Sequence, residues 1–519
     1  MTQRVFIPDE TTACSLGTDA VAKAVKAQLE AHGIDAELVR NGSRGAFHLE
    51  PLVEVEDAGQ RLVFGPVSPA DVPGLFGSGV LPGRDHAACL GRVDEIPFLA
   101  GQTRLTFARV GEAAPLDLAA YKASGGGVAL ERALSISSAQ VVQEIETSGL
   151  RGRGGAAFPA AIKWQTVLDA PGTEKYIVCN ADEGDSGTFA DRLLMECDPY
   201  QLLEAMAIAG ITVGAKLGII YLRSEYPKAH EVLNAAIAQA QTAALLGDNI
   251  LGSGTSFDVE VRLGAGSYIC GEETAMLESI EGKRGVVRAK PPLPALSGLF
   301  GKPTLVHNVL TLAAVTSVLA GGGSHYAAHG TGRSRGTMPF QIGGNVLCGG
   351  LVELPFGRPL DSLLNEFAGG SFSGRAFKAV QVGGPLGAYL AANDWQLPLD
   401  YEAFAAAGAM IGHGGVVAFD DTVDMAEQAE FAMRFCAIES CGKCTPCRIG
   451  SKRGEELIQR IRLEEANDGD LQVLDELLEA MELGSLCALG GLTPMPVRSI
   501  LKSFPGALKA ARIEASQVR

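Results

Sequence analysis

Near the C-terminus, the stretch Ser440-Cys441-Gly442-Lys443-Cys444-Thr445-Pro446-Cys447-Arg448 spaces three cysteines as C-x2-C-x2-C. That spacing gathers three sulfurs around one small inorganic centre with little help from the rest of the chain. A fourth, Cys487 in SLCALGG, lies downstream. Thiolates are soft ligands suited to iron–sulfur clusters or to zinc. A compact run with one distant partner is the commoner arrangement for a cubane 4Fe–4S cluster, whereas zinc sites more often pair two C-x2-C hairpins. The expectation is one 4Fe–4S cluster on Cys441, Cys444, Cys447 and Cys487, with structural zinc as the alternative. Such a cluster passes single electrons, so the chain should also hold a partner for it.

At 519 residues the chain calls for three or four domains, and 47% hydrophobic with 20% charged residues is a folded composition. Its 65 glycines predict glycine-rich loops against ligands. A net charge of −17 argues against nucleic acid and against an anionic membrane surface as partners. The other seven cysteines show no framework spacing, which fits a reducing compartment. MTQRVFIPDE has no apolar core of a signal peptide. The apolar run Ala205–Leu222 is broken by Lys216 and three glycines, and reads as a helix, a turn and a strand. The expected location is cytoplasmic.

Residues 1 to about 80 alternate as β-α-β-β-β-α, with a hairpin turning at Asp57-Ala58-Gly59 and a last helix capped by Ser68. That order resembles the thioredoxin fold. Cys14 and Cys89 alone cannot complete a four-cysteine 2Fe–2S site, so an interaction module is expected, with redox use of Cys14 as the alternative. A linker to about residue 135 contains Ser124-Gly125-Gly126-Gly127. SGLRGRGGAAFPAAIKW, residues 148–164, follows: its glycines let backbone N–H groups approach an anion, and Arg151, Arg153 and Lys163 add positive charge. The spacing fits neither a G-x-G-x-x-G nor a Walker loop, so the residues alone predict a phosphate-bearing ligand or an ordinary loop. From Lys175 strands and helices alternate, predicting a parallel sheet with its ligand beyond the carboxyl ends of the strands. One loop at that edge carries Asn180, Asp182, Glu183 and Asp185; another carries Tyr268, Gly271, Glu272 and Glu273. Four amphipathic helices close the chain. His325 and His329 are expected on a surface loop, and His413 and Cys436 as packing residues.

SGLRGRGGAAFP, NADEG, YICGEET, AKPPLP, PTLVHNV and SCGKCTPCR…SLCALGG together resemble the flavin-carrying NADH subunit of respiratory complex I. The same module serves in NAD-reducing hydrogenases and soluble NAD-dependent formate dehydrogenases. The resemblance spans about residues 135 to 519. It implies FMN, NAD(H) and one 4Fe–4S cluster, and a multidomain α/β architecture. The units would be a thioredoxin-like domain without cluster ligands plus linker at 1–125, a Rossmann-like FMN/NAD(H) domain at 126–334, a β-grasp domain at 335–421 and a four-helix bundle with the cluster at 422–519. By resemblance, Gly152, Arg153, Gly154, Gly155 and Lys163 line the cofactor cavity. Asn180, Asp182, Glu183, Tyr268, Gly271, Glu272 and Glu273 would bond the flavin, with Glu183 and Glu273 tuning it. Asn308 and Thr311 would lie near its phosphate, and Phe158, Lys290 and Asp185 would contact the dinucleotide. Leu293 and Thr166 stand where further stacking phenylalanines would be, and His307 replaces an asparagine. No side chain would act as nucleophile or base. The fused N-terminal domain without cluster cysteines most resembles the beta subunit of molybdenum-containing formate dehydrogenase. That implies a 2Fe–2S thioredoxin-like subunit and a molybdenum- and iron–sulfur-containing catalytic subunit as partners. A hydrogenase diaphorase or complex I subunit is the alternative, and a structural assembly subunit with a zinc site is a different class.

Overall fold

A computed structural model describes residues 3–57, 59–77, 79–467 and 469–508. The first sheet holds β1 (Gln3–Pro8), β2 (Ala36–Asn41), β3 (Val53–Asp57), β4 (Gln60–Phe64) and β5 (Cys89–Arg92), in the order β2-β1-β3-β4-β5. β1 and β2 run parallel and the other pairings are antiparallel. The helix Thr18–His32 packs Val21, Val25 and Leu29 on one face, at the four-residue spacing of a buried stripe, and stops at Gly33 with φ +62°. The expected hairpin pairs β3 with β4, although Ala58 at its turn lies outside the described residues. Ser68 does not cap the next helix, Val72–Phe76; it donates through its N–H and Oγ to Asp71 Oδ2, at 2.8 and 2.6 Å. β5 was not anticipated, because Cys89-Leu90-Gly91-Arg92 has no alternation to mark it.

The central sheet is parallel throughout: β6 (Tyr176–Ala181), β7 (Leu217–Leu222), β8 (Asp258–Leu263) and β9 (Thr304–Asn308), in the order β8-β7-β6-β9. The helical stretch after β6 is two helices, Ala190–Cys197 and Pro199–Val213. Proline has no N–H to continue the first ladder. The segment expected as a linker is packed: Phe107, Val110, Tyr121, Leu130 and Ala133 belong to the core of this sheet. Its glycines are held in place, since Gly127 N and Leu130 N donate to buried Glu204 at 2.8 and 2.9 Å.

A two-stranded ribbon, β10 (Gly330–Thr331) and β11 (Ser334–Arg335), leads into a mixed sheet. That sheet holds β12 (Thr337–Gly344), β13 (Gly350–Pro355), β14 (Phe377–Val382), β15 (Ala388–Leu390) and β16 (Gly415–Asp420), in the order β13-β12-β16-β14-β15. Its core takes in Leu52, Val63, Phe98 and Leu99 from the N-terminal unit. The helices Met425–Glu439, Thr445–Arg462, Asp470–Gly484 and Pro494–Ser503 pack around Met433, Ile458, Leu478, Met481 and Val497, with a short helix Ala488–Leu492 between the last two. Gly450 and Gly454 allow the close approach: a Cβ there would stand 2.6 Å from Met481 Cγ and 2.8 Å from Met433 Sδ. Among the described residues no helix is long and apolar enough to cross a membrane.

Candidate functional site

A cavity of about 580 Å³ opens beyond the carboxyl ends of β6 and β9. One wall is the glycine loop 152–156; a second is formed by the loops after β6 and β8; a third, Cys487–Leu489 and Leu492, belongs to the cluster region. Phe158, Thr166, Leu293 and Lys290 line the same space, as do Asn308 and Thr311. Every cofactor-binding residue expected from the sequence lines it except Arg153. That side chain is 1% exposed and spans outward, donating to the carbonyls of Arg151, Arg335 and Thr337 and to Tyr326 Oη. Arg153 therefore staples the loop to the third sheet, and only its backbone faces the site: its N–H donates to Thr311 Oγ1 at 2.8 Å.

The acidic residues divide into two groups. Glu183 was expected to bond the flavin and tune it through its charge. Its carboxylate instead accepts from the N–H groups of Asp191 and Arg192, at 2.8 and 2.9 Å, and from Tyr226 Oη at 2.9 Å. It ties off the first turn of Ala190–Cys197, where orphan N–H groups and the helix dipole favour an anion. Burial and the neighbouring Asp191 hold its carboxyl above the usual range. Asn180 is likewise spent on the scaffold, its amide donating to Gly271 O at 2.8 Å and so joining the two acidic loops. One Glu272 oxygen caps Glu273–Ile280 through the N–H groups of Thr274 and Ala275. Tyr268 Oη donates to Asp185 at 2.7 Å.

Asp182 and Glu273 face the ligand space. The Asp182 carboxyl has no protein hydrogen-bond partner among the described residues and is not among the fully enclosed orphaned atoms, so it looks into the cavity. Burial, opposed by Arg223, pushes it up to about 7. Glu273 lies between Lys163 at 3.3 Å and Lys290 at 3.2 Å; these cations outweigh its burial and hold it below the usual carboxylate range. His307 Nε2 accepts from Trp164 Nε1 at 3.0 Å, and burial followed by Lys163 lowers it to about 3, so the ring is neutral.

His413, expected as a packing residue, is buried but also lines the cavity. It comes from the turn before β16, with Nε2 3.1 Å from Asp191 Oδ1 on the cavity wall. Burial opposes its charge, but Asp191, Glu183 and Asp185 together push it up to about 9. His325, expected on a surface loop, lies in the short helix Gly323–Ala327, with His329 Nδ1 3.2 Å from His325 O.

Cys444 and Cys487 are the residues preceding two helices, and Cys447 lies in the first turn of Thr445–Arg462. The cluster loop is bound to the central unit: Tyr268 N donates to Glu439 at 3.0 Å, Arg284 to Cys441 O at 3.2 Å and Lys443 to Val287 O at 2.5 Å. Among the described residues, no three of the four sulfurs lie within 4.8 Å of one another. Four thiolates on one zinc ion would stand roughly 3.8 Å apart, from a Zn–S bond of about 2.3 Å. The wider spread fits ligands splayed around a cubane. Cys436 lies behind them, accepting from Thr493 Oγ1 at 2.7 Å and Ser451 Oγ at 3.2 Å.

Residues 145–317 match the Nuo51 FMN-binding domain, and residues 427–511 match the NADH-ubiquinone oxidoreductase-F iron–sulfur binding region. The NADP-reducing hydrogenase subunit HndC of Solidesulfovibrio fructosivorans is 44% identical over 409 residues, covering 79% of this chain and 83% of that protein. The NADH-quinone oxidoreductase F subunit of Escherichia coli is 39% identical over 393 residues, 75% of this chain and 88% of its own length. The crystal structure of an NAD+-reducing [NiFe]-hydrogenase in the H2-reduced state superposes with a TM-score of 0.69 at 29% identity, covering 98% of this chain and 85% of that one. Fold and cavity thus define an FMN- and NADH-binding oxidoreductase subunit with a 4Fe–4S centre. The chain belongs to the family of the NADH-ubiquinone oxidoreductase F subunit.

The residues present fit the flavin. A Cβ on Gly154 would sit 2.9 Å from Asn308 Cβ, and one on Gly184 2.5 Å from the Tyr268 ring, so the bare backbone keeps the walls apart. The N–H groups of Gly154, Gly155 and Ala156 have no protein acceptor among the described residues, which is the donor set a phosphate needs.

Proposed function

We propose that this chain is the NAD(H)-facing subunit of a soluble NAD-dependent formate dehydrogenase, reducing NAD+ with electrons that originate at formate in another chain. The observation that carries the electron-transfer part is the shared wall: Cys487 and Leu489 line the same cavity as Phe158, Lys163, Asp182 and Glu273. FMN, when bound, exchanges a hydride with the nicotinamide and single electrons with the cluster. This chain's residues position and shield. The amides of 154–156 with Asn308 and Thr311 would hold the flavin phosphate, and Asp182 would accept from flavin or ribityl donors. Phe158 and Lys290 would hold the dinucleotide at the rim. Hydride transfer requires the two rings stacked within reach, so placement is the contribution asked of the protein. Ile269, Leu386, Leu489 and Cys447 belong to one apolar cluster, which would shield the space between the cavity and the cluster ligands.

The thioredoxin-like, Rossmann-like, β-grasp and bundle division is our interpretation of the three sheets and the helical end. We draw the first boundary near residue 105 rather than 125, because Phe107, Val110 and Tyr121 pack in the central core. In the first unit Cys14 and Cys89 lie on separate elements and no four-cysteine site can form. That feature favours the formate dehydrogenase assignment over a hydrogenase diaphorase, with a 2Fe–2S subunit and a molybdenum-containing subunit as partners. Purifying the native complex and assaying NAD+ reduction with formate and with hydrogen tests it. Formate-dependent reduction is expected; hydrogen-dependent reduction alone would reject the assignment.

A further inference from the structure

Three elements converge at one end of the cavity. The glycine loop brings the unpartnered amides of 154–156. The helix Val309–Gly321 points its N-terminus there, with Asn308 Oδ1 capping Leu310 N at 2.9 Å. The turn Gly412–His413–Gly414 arrives from the third sheet, and its glycines, at φ +61° and +81°, permit a tight approach. A Cβ on Gly155 would meet Gly412 at 3.9 Å. His413 is 5% exposed. Its Nε2 faces Asp191 Oδ1 at 3.1 Å, and Asp191 Oδ2 accepts from Asn308 Nδ2 at 2.7 Å. Its other nitrogen, Nδ1, has no protein partner among the described residues, yet is not one of the fully enclosed orphaned atoms. The residue lines the cavity, so Nδ1 is presented to the ligand space.

We propose that His413 is a cationic donor to the FMN phosphate, oriented by Asp191 through Nε2 and offering Nδ1–H to a phosphate oxygen beside the glycine-loop amides. Two features make this the natural partner. A helix N-terminus and a row of free amides attract an anion but carry only partial charge. A phosphate of nearly two negative charges gains from one full positive charge among them. The charged groups facing His413 are Asp191 from the helix Ala190–Cys197 and Glu183 and Asp185 from the loop after β6, all acidic, and they keep the imidazolium protonated. Two of these acids are already engaged: Glu183 by the N–H groups of Asp191 and Arg192, and Asp185 by Tyr268. Asp191 is shared with Asn308, whose Nδ2 also stands 3.4 Å from His413 Nε2.

The proposal rests on the glycine loop holding the phosphate, and riboflavin, which lacks that group, separates the two ideas. Apoprotein of the full chain is titrated with FMN and with riboflavin, following flavin fluorescence. For His413→Leu, FMN affinity should fall about 10- to 100-fold, the range of one charge-assisted hydrogen bond, while riboflavin affinity stays within about twofold. His413→Asn, whose Nδ2 can stand where Nδ1 does as a neutral donor, should lose less. Equal losses for both flavins would make His413 a wall residue and overturn the proposal, as would unchanged FMN affinity. A wild-type protein that does not prefer FMN to riboflavin would instead overturn the phosphate assignment of the loop. The unmutated protein gives an independent measure. The 31P resonance of bound FMN should report a dianion to pH values below the ordinary second phosphate pKa of about 6. A bound phosphate titrating like free FMN would also overturn it.

Discussion

Two adjacent acids, Asp182 and Glu183, have opposite employment, and the difference is testable. Glu183 accepts two backbone N–H groups and a tyrosine hydroxyl. Glu183→Gln would turn an amide NH2 toward those donors, so we expect a stability loss of about 1–3 kcal/mol in denaturant unfolding. A variant as stable as wild type would refute the capping role. Asp182 has no such partner, and its carboxyl is pushed up to about 7. Below that pH it is neutral; above it, a negative charge faces an anionic dinucleotide. NADH affinity should therefore weaken as pH rises through about 7, and Asp182→Asn should remove that step and bind more tightly at about pH 8. A persistent step in the variant would assign it to another group. Both acids were identifiable in NADEGD by resemblance, but their directions were not. Glu183 turns inward only because the chain later returns a helix start at Asp191, and a sequence pattern records residues, not bearings. His413 was hidden for the same reason: its partner Asp191 is 222 residues away.

Among the elements, the parallel sheet was the most legible part. YIVCN, LGIIYLR and FDVEVRL lie between helical segments and became strands, whereas the fourth strand, PTLVHN, was marked only as a motif of the resemblance. Buried parallel strands have no polar face, so their runs stand out. The edge strand β5 did not stand out because it lacks alternation, and the packed segment 107–135 did not because its order comes from partners distant in sequence, Glu204 foremost. The glycine loop is where local sequence and long-range geometry meet. Gly154→Ala would drive a Cβ to 2.9 Å from Asn308 Cβ, shifting the residue that caps Val309–Gly321. We expect FMN affinity to drop by about tenfold or more, the equivalent of roughly 1.4 kcal/mol, with far-UV circular dichroism unchanged. Wild-type affinity in that variant would show that the loop does not need a bare backbone.

At the scale of the whole molecule, the flavin cavity and the cluster site share a wall although their residues lie in separate parts of the chain. The cysteine spacing names four candidate ligands but not that Cys487 borders the cavity, since that depends on the bundle packing against Ile269 and Leu386. The direct test is an anaerobic NADH titration of the FMN- and iron–sulfur-loaded chain, followed by flavin absorbance and by electron paramagnetic resonance. NADH should bleach the flavin and raise the signal of a reduced 4Fe–4S cluster in the wild type, whereas Cys487→Ser should keep the bleaching and lose the signal. A wild-type cluster that dithionite reduces but NADH does not, with the flavin fully bleached, would contradict the account.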